Sequence, residues 1–486
     1  MSDSNLSSHT SIFIDLRNIL CGQLGWSSPE GDEISLRPGS DVPEVEAISS
    51  KRFLPYGIRL AAQPATKEEP FPSGQEIPGQ VIHDSGRYRS WSLNASEGNI
   101  LYRESDDAYE WSAPVECPFE THGETPIGEG GFFIDPAAAP GEGYKLIYNA
   151  RVPDNDYDRF HQRVVESPRP YRDQRMVMRT KARGLGSIYG AVSADGLHWK
   201  GLAEPLLMHL GDTDISLYYD GELNKYVAYS RIFRQDRRWI GRAESDDFRN
   251  WGPLVPMIRP ELDDSPFVDV YLNSRSEYPG LPDHHLMFPM FYNRNDESSV
   301  VHFYSSEDGF SWGRVPGGPI LSPGAPGDWD GSFIYAGRHL VPLGSDRIAV
   351  PYSGTSYPHK YPRWQTVSDA WRSAWAWWPK DRLCAVVADQ QGEFYTPSRI
   401  PAGRQLRINA RVERGGEIRV GIDTTSEGSS PDEQQRRICH CDPIFGDHMA
   451  KTVTWNGESD TGLKEEEPAS LHFSLRAAEI FGFQWC

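Results

Sequence analysis

No run of apolar residues in this 486-residue chain approaches the length a membrane-crossing helix needs. Positive charge is scarce: 49 Lys and Arg face 69 Asp and Glu, a net charge of −20. Nucleic-acid binding relies on cations that neutralise phosphates, so this balance argues against a polyanionic partner. Neutral sugars and small molecules remain compatible with it. Cysteine is sparse, six residues at positions 21, 117, 384, 439, 441 and 486, and none has metal-ligand spacing. Read as a strand, Cys439-His440-Cys441 sends both thiols to one face and the imidazole to the other, so no metal is expected there. Scattered free thiols suit a reducing compartment. The polar, Ser-rich first ten residues lack the apolar core of a secretory signal. As written, the chain reads as a cytoplasmic protein, or as a secreted one trimmed of its leader. No Gly-x-Ser-x-Gly elbow and no Gly-rich phosphate loop occurs. Helix-length apolar patterns are few, whereas Gly (45), Pro (38), Trp (15), Tyr (22) and Phe (20) are plentiful. Turns and aromatics in that proportion indicate an all-β protein.

One seven-residue phrase, Ser-x-Asp-x-x-x-Trp, returns four times: Ser105 to Trp111, Ser193 to Trp199, Ser245 to Trp251 and Ser306 to Trp312. Ser and Asp close a tight turn by accepting backbone amides, Gly tolerates the positive φ that follows, and the Trp ring drops between neighbouring sheets. The phrase therefore predicts hairpin corners in a repeated antiparallel unit. Around the corners, pairs of strand-like runs recur, such as Gly131-Phe132-Phe133-Ile134-Asp135 with Tyr144-Lys145-Leu146-Ile147-Tyr148. Five four-stranded units result, opening near residues 76, 129, 214, 269 and 330. Such units bury both faces only against one another, and a five-bladed β-propeller is the economical arrangement, ahead of a pair of β-sandwiches.

Two insertions interrupt the rhythm. Residues 152–184, rich in Arg, Asp and Pro, read as a long loop over one face. Residues 355–380 crowd together Tyr357, His359, Tyr361, Arg363, Trp364, Trp371, Trp375, Trp377 and Trp378. Of these, Trp375 to Trp378 read as a connector covering the closing seam, and the His359 to Trp364 stretch as equally suited to facing a substrate. From about residue 390 alternating strands continue without the corner phrase, for example Leu406 to Ala410, Ile418 to Ile422 and Leu471 to Leu475. The expected division is a propeller over 1–389 and a C-terminal β-sandwich over 390–486, with Ser429-Ser430-Pro431-Asp432 as an exposed turn.

The innermost strands of a propeller begin at the axis, so residues at those starts converge. Asp135 and Asp220 each end such a strand at its turn, and six positions earlier stand Glu129 and Asp214. Asp330 takes the same place in the fifth unit, and Asp269 lies two residues further along in the fourth. Crowded carboxyl groups split their pKa values, leaving one protonated and another ionised, which is the equipment of glycoside hydrolysis. The competing explanation is that these carboxylates only fasten strand ends; Asp135 and Asp220 are read that way, as turn formers. Aromatic faces receive the C–H faces of sugar rings, which singles out Trp239, Tyr271, Trp329 and His359, with Arg231 placed to hold a hydroxyl or carboxylate.

The corner phrases, the five units and the trailing sandwich together resemble the five-bladed propeller glycosidases, the superfamily of invertase, inulinase, arabinanase and xylosidase enzymes. The resemblance covers most of the chain at the level of architecture. It implies a glycoside hydrolase acting on a furanosidic or other non-starch glycan through Glu129, Asp214, Asp269 and Asp330, with an oligo- or polysaccharide substrate and no cofactor, a structural Ca²⁺ in the channel being compatible. Two rivals stay open: a glycoside phosphorylase, for which Arg172, Arg175, Arg179 and Arg183 can supply phosphate ligands, and a glycan-binding propeller without catalysis.

Overall fold

The computed structural model describes residues 10–21, 23–27, 33–35, 48–52, 55–73, 75, 77, 79–94, 97–121, 124–168, 172, 174–209, 211–234, 236–360, 371–424 and 436–486. The chain is all-β and forms two compact units. One takes residues 1–63, 315–317 and 381–486; the other takes 64–314 and 318–380. The first 63 residues therefore cluster with the C-terminal segment, where an N-terminal domain over 1–389 was expected. The reason is strand pairing: Arg59–Ala62 lies antiparallel to Cys384–Tyr395, and Thr10–Ile12 to Ala469–Trp485.

In that unit the long strands Leu406–Thr424 and Ala469–Trp485 form the centre of a six-stranded sheet. Register breaks between Val412 and Glu417 divide Leu406–Thr424, yet Leu406, Ile408 and Ala410 before the break and Ile418, Val420 and Ile422 after it enter one core with Phe473 and Trp455. Alternation of that kind gives a strand one apolar face. The Cys439-His440-Cys441 triplet is not a strand: Ile438–His440 is a 3₁₀ turn that leaves Cys439 exposed and Cys441 buried. The expected turn at Ser429 to Asp432 lies outside the described residues.

Among the described residues the other unit carries six hydrogen-bonded sheets, mainly antiparallel, which are taken below in chain order with the two between Val268 and Arg314 described together as the fourth group. The first runs Ile82–Asp84, Arg87–Asn94, Asn99–Ser105, Val115–Cys117, and the second Glu124–Ile134, Tyr144–Arg151, Gly186–Ser193, Trp199–Gly201. The third is Ser216–Asp220, Lys225–Arg234, Arg237–Ser245, Val255–Ile258. The fourth continues through Val268–Leu272 and Arg275–Tyr278, Leu281–Met287 and Met290–Asn293, then Ser299–Val301 with Tyr304–Ser306, ending at Gly313–Arg314. The fifth comprises Phe333–Ala336 and Val341–Leu343, Arg347–Thr355, Arg372–Pro379 and, as its last strand, Thr66–Lys67. Two expectations are corrected here. Arg372–Pro379 is a ladder strand with Trp375 and Trp378 fully buried, so the span 355–380 is not simply a connector. The span 152–184 is not a plain loop either, since it holds the helix Tyr157–Glu166, whose Tyr157, Phe160 and Val164 share one buried face.

Hydrogen bonds and, between the second and third, a close backbone approach link each group to the next near their innermost strands. Gln80 of the first donates to the carbonyl of Phe132 (2.5 Å) and accepts from its amide (3.0 Å). Gly131 passes so close to Ile215 that a Cβ would sit 2.1 Å from its oxygen. Ser216 Oγ donates to Asn273, Ser274 Oγ to Ala336 O, and Arg338 N to Gly79 O, which returns to the first group. Separate apolar clusters fill the spaces between successive groups, including that between fifth and first.

All four corner phrases fold alike. The Ser hydroxyl and Asp carboxylate accept the following amides, as in Ala108 N to Ser105 Oγ (2.9 Å) and Glu110 N to Asp107 Oδ1 (2.8 Å). The fourth residue takes positive φ in each: Ala108, Gly196, Phe248 and Gly309. Its carbonyl receives the indole N–H of its own Trp. In three corners it also receives a donor from the neighbouring group: Trp375 on Ala108, Trp91 on Gly196, and Arg242 with Tyr229 on Gly309. The corner thus joins sheet to sheet.

Candidate active site

Glu129 and Asp214 stand on adjacent innermost strands. Glu129 sits at a register break of its strand with φ of 59°, and Asp214 two residues before Ser216–Asp220. Asn149 fixes both segments from one side chain, its Nδ2 donating to Glu129 O and Thr213 O at 3.1 Å each. Gly211 is required beside it, because a Cβ there would lie 2.8 Å from Ser230 Oγ and 3.0 Å from Asn149 Oδ1. Glu129 is exposed by its accessible surface, yet enough protein surrounds its carboxyl that desolvation is the largest influence on it. With the charge of Asp214 next, and Arg231 and Arg338 opposing, the Glu129 carboxyl is pushed up to about 7.

The surrounding groups come from other strands. Arg338, buried, donates Nη1 to Ile215 O (2.6 Å) and brings Nη2 within 3.6 Å of Asp214. Burial holds its guanidinium below the usual arginine range, against the pull of Asp214 and Glu129. The Tyr335 hydroxyl is raised, by burial first; Ser353 opposes, and the charges of Asp214 and Glu129 add to the rise. Trp371, with 41% of its surface exposed, stands 5.7 Å from the Tyr335 ring and 5.6 Å from Phe333.

Asp269 and Asp330 are placed differently. Both are buried. Asp269 receives Arg238 Nη1 at 2.7 Å, with Arg294 and Arg237 at 3.7 and 3.9 Å. Asp330 receives Lys67 Nζ at 2.7 Å and Tyr352 OH at 3.3 Å. The charges with the largest influence on Glu129 are those of Asp214, Arg231, Asp212 and Arg338. The structure therefore couples Glu129 with Asp214 and ties Asp269 and Asp330 to cations. Asp135 and Asp220 accept turn amides, as expected of turn formers.

Among the proposed sugar contacts, Tyr271 and His359 meet: Tyr271 Oη and His359 Nε2 are 2.9 Å apart, and His359 stacks on Phe333 with centroids 4.5 Å apart. Arg231 is fully buried, holds Asp212 by Nη2 at 2.7 Å and lies 4.4 Å over the Tyr271 ring. Trp329 packs on Tyr352, beside Asp330. Trp239 is turned away from this group. Because Arg231 pairs with Ile240 and Ile232 with Trp239, alternation puts Arg231 and Trp239 on opposite faces, and Trp239 packs with Ile232 against the second strand group. Of the insertion arginines, Arg175 stacks on Phe233 at 3.7 Å, while Arg172 and Arg179 donate to backbone carbonyls. Tyr361, Arg363 and Trp364 lie outside the described residues. Among the described residues no group of three or more His, Cys, Asp or Glu side chains is arranged to hold a metal ion, and no helix is long and apolar enough to cross a membrane.

No family model matches the chain. A curated protein, the A type blood N-acetyl-α-D-galactosamine deacetylase of Flavonifractor plautii, is 42% identical over 55 residues, 11% of this chain and 7% of that protein. The chain thus spans less than a tenth of that relative's length. Similar solved structures include an N-acetylgalactosamine deacetylase from F. plautii in complex with blood group B trisaccharide, 16% identical, covering 75% of this chain and 96% of that one with a TM-score of 0.41. A thermostable family-43 glycoside hydrolase is 15% identical over 67% of this chain and 94% of that one, TM-score 0.40. The Bombyx mori GH32 β-fructofuranosidase is 10% identical over 89% and 94%, TM-score 0.38.

Proposed function

We propose that residues 64–380 form a five-bladed β-propeller whose centre carries a glycoside hydrolase site, with Glu129 as proton donor and Asp214 as the second carboxyl group, base or nucleophile. The observation that carries this reading is the unequal pair: two carboxyl groups on adjacent strands, one of which holds its proton up to about pH 7. A carboxyl that keeps its proton toward neutral pH beside a second carboxyl group suits glycosidic cleavage, one protonating the leaving oxygen and the other acting as base or nucleophile. The positive φ of Glu129 and of Asp212 adds to the case, since strained backbone concentrates at functional positions. Asp269 and Asp330, each already bound to a cation, serve in this reading to hold Arg238 and Lys67, not to exchange protons with substrate.

The substrate is a glycan, and Trp371 with Tyr335 offers the aromatic surface closest in character to a sugar platform. The C-terminal segment from residue 390, with its N-terminal strands, acts as a β-sandwich accessory. The test is turnover on a panel of aryl glycosides and oligosaccharides, an N-acetylgalactosamine-containing oligosaccharide among them, with released acetate scored separately from released reducing sugar. Glu129→Gln and Asp214→Asn are each expected to lower turnover by about 10²–10⁴-fold while circular dichroism is unchanged. Full activity in either variant removes that residue's role. Acetate release without reducing sugar replaces glycoside hydrolysis by amide hydrolysis, and a requirement for added phosphate replaces it by phosphorolysis.

A further inference from the structure

Beside the carboxyl pair, guanidinium groups and aromatic rings alternate. Arg175 lies over Phe233 at 3.7 Å, Arg231 between Phe233 and Tyr271 at 5.4 and 4.4 Å, and Arg238 over the other side of the group at 4.8 Å from Tyr271. The hairpin joining Lys225–Arg234 to Arg237–Ser245 supplies Arg231, Arg237 and Arg238, and Arg294 approaches from the fourth strand group. Within 4 Å, the ion pairs of Arg231, Arg237, Arg238 and Arg294 among the described residues go to only two carboxylates, Asp212 and Asp269. Two cations are left over on a chain of net charge −20.

Among the buried atoms here that lack a hydrogen-bond partner, three arginine donors stand against one carboxylate acceptor, Asp269 Oδ1. Arg231 Nη1, Arg237 Nε and Arg238 Nε are buried without a hydrogen-bond partner, and Arg231 itself is 0% exposed. Asp269 Oδ1 reaches neither Arg237 nor Arg294 within hydrogen-bond distance. Stacking on rings offsets part of the cost of burying arginine, and the buried N–H groups left unpaired stay costly until an acceptor joins them. Arg237, Arg238 and Arg294 retain 25, 20 and 36% of their side-chain surface, so an anion has access to the group from solvent. The charge of Arg231 also reaches Glu129, which places the cluster next to the proposed reaction centre.

We propose that this arginine cluster binds an oxyanion beside the carboxyl pair, either a carboxylate carried by an acidic sugar or a free inorganic phosphate. Planar guanidinium groups pair with both in two-point fashion. Only the acidic-sugar source rests on the glycan reading above; the anion site itself does not. The full chain is titrated calorimetrically at low salt with glucuronate, galacturonate, glucose, galactose and sodium phosphate. At least one anion is expected to bind, the neutral sugars about tenfold more weakly or not at all, with affinity falling as salt rises. Arg238→Gln and Arg294→Gln, checked for folding by circular dichroism, are each expected to weaken the anion about tenfold, the loss of one charge-assisted hydrogen bond. Uronate binding identifies an anionic substrate, and phosphate binding without uronate identifies a phosphate co-substrate. Absence of binding by every anion, or affinity unchanged in both folded variants, overturns the proposal. Glu129→Gln keeps the two readings apart, because it is expected to abolish turnover and leave anion binding intact.

Discussion

Replacing Asp214 by Asn removes one negative charge from the neighbourhood of Glu129 and leaves shape nearly unchanged. Its effect follows from the order of influences on the Glu129 carboxyl. Desolvation comes first, Asp214 second, and the rise runs from 4.5 to about 7. Removing the second influence and keeping the first should lower the midpoint while leaving it above 4.5. The assay is a carbon-13 titration of labelled glutamate side chains, with Glu129 assigned by its disappearance in Glu129→Gln. In the unmodified protein roughly ten molecules are protonated for each ionised one at pH 6, one unit below the midpoint; in Asp214→Asn the ratio should fall. Stability follows with a definite sign. A folded carboxyl that holds its proton to higher pH than an unfolded one takes up protons on folding between about 4.5 and 7. Its contribution is therefore fully present below 4.5 and is lost as pH rises through about 7. Glu129→Gln should flatten that decline in thermal melts over the same window. A midpoint near 4.5 in the unmodified protein, or one that Asp214→Asn does not move, would refute the coupling on which the proposed acid role rests.

Other consequences are measurable by equilibrium denaturation. Lys145 and Asp135 form a buried pair at 2.7 Å that Tyr226 OH also joins at 2.8 Å, so Lys145→Met should cost about 3–5 kcal/mol by stranding a charge. Lys145→Met with Asp135→Leu should recover much of that, and equal losses in single and double variants would contradict the account. Gly309→Val puts a branched side chain at φ of 68° with its Cβ 2.8 Å from Arg242 Nη1, and should lower Tm more than Val at exposed Gly313, where a Cβ meets nothing within 4 Å. Asn149→Leu leaves the carbonyls of Glu129 and Thr213 without their donor. It should lower kcat more than KM, with the Glu129 midpoint displaced; an unaltered midpoint and full activity would show that Asn149 positions nothing.

Much of the architecture was legible because the corner phrase is a local device: its Ser, Asp and Trp bond to backbone within the same seven residues, and the indole bond to the fourth residue's carbonyl recurs at all four sites. Glu129 and Asp214 were legible through their common offset from the turn residues Asp135 and Asp220. What escaped sequence reading lacked a local signal or had one that went unused. Thr66–Lys67 is a two-residue strand that pairs by backbone alone, so no apolar alternation marks it. The orientation of Trp239 was available from alternation once Arg231 was known to pair with Ile240. The spacing of Tyr157, Phe160 and Val164 announced a helix inside a segment whose charge suggested a loop. Arg338 gave no sign, because it lies between the strands Phe333–Ala336 and Val341–Leu343, in a segment that meets Asp214 only in three dimensions.

The fifth strand group is completed from far away in the chain. Thr66 pairs with Trp377, and the Lys67 ammonium reaches Asp330, 263 positions further on. Nothing local can bring such partners together, so the loop entropy of closure must be met late, after the intervening groups have assembled. A nascent chain therefore carries Thr66–Lys67 without its ladder partner until Arg372–Pro379 has been synthesised, and that interval is when the incomplete fold is most open to pairing with a neighbour. Clipping the short segment at 64–68 should for this reason do more harm to soluble yield than its few contacts suggest.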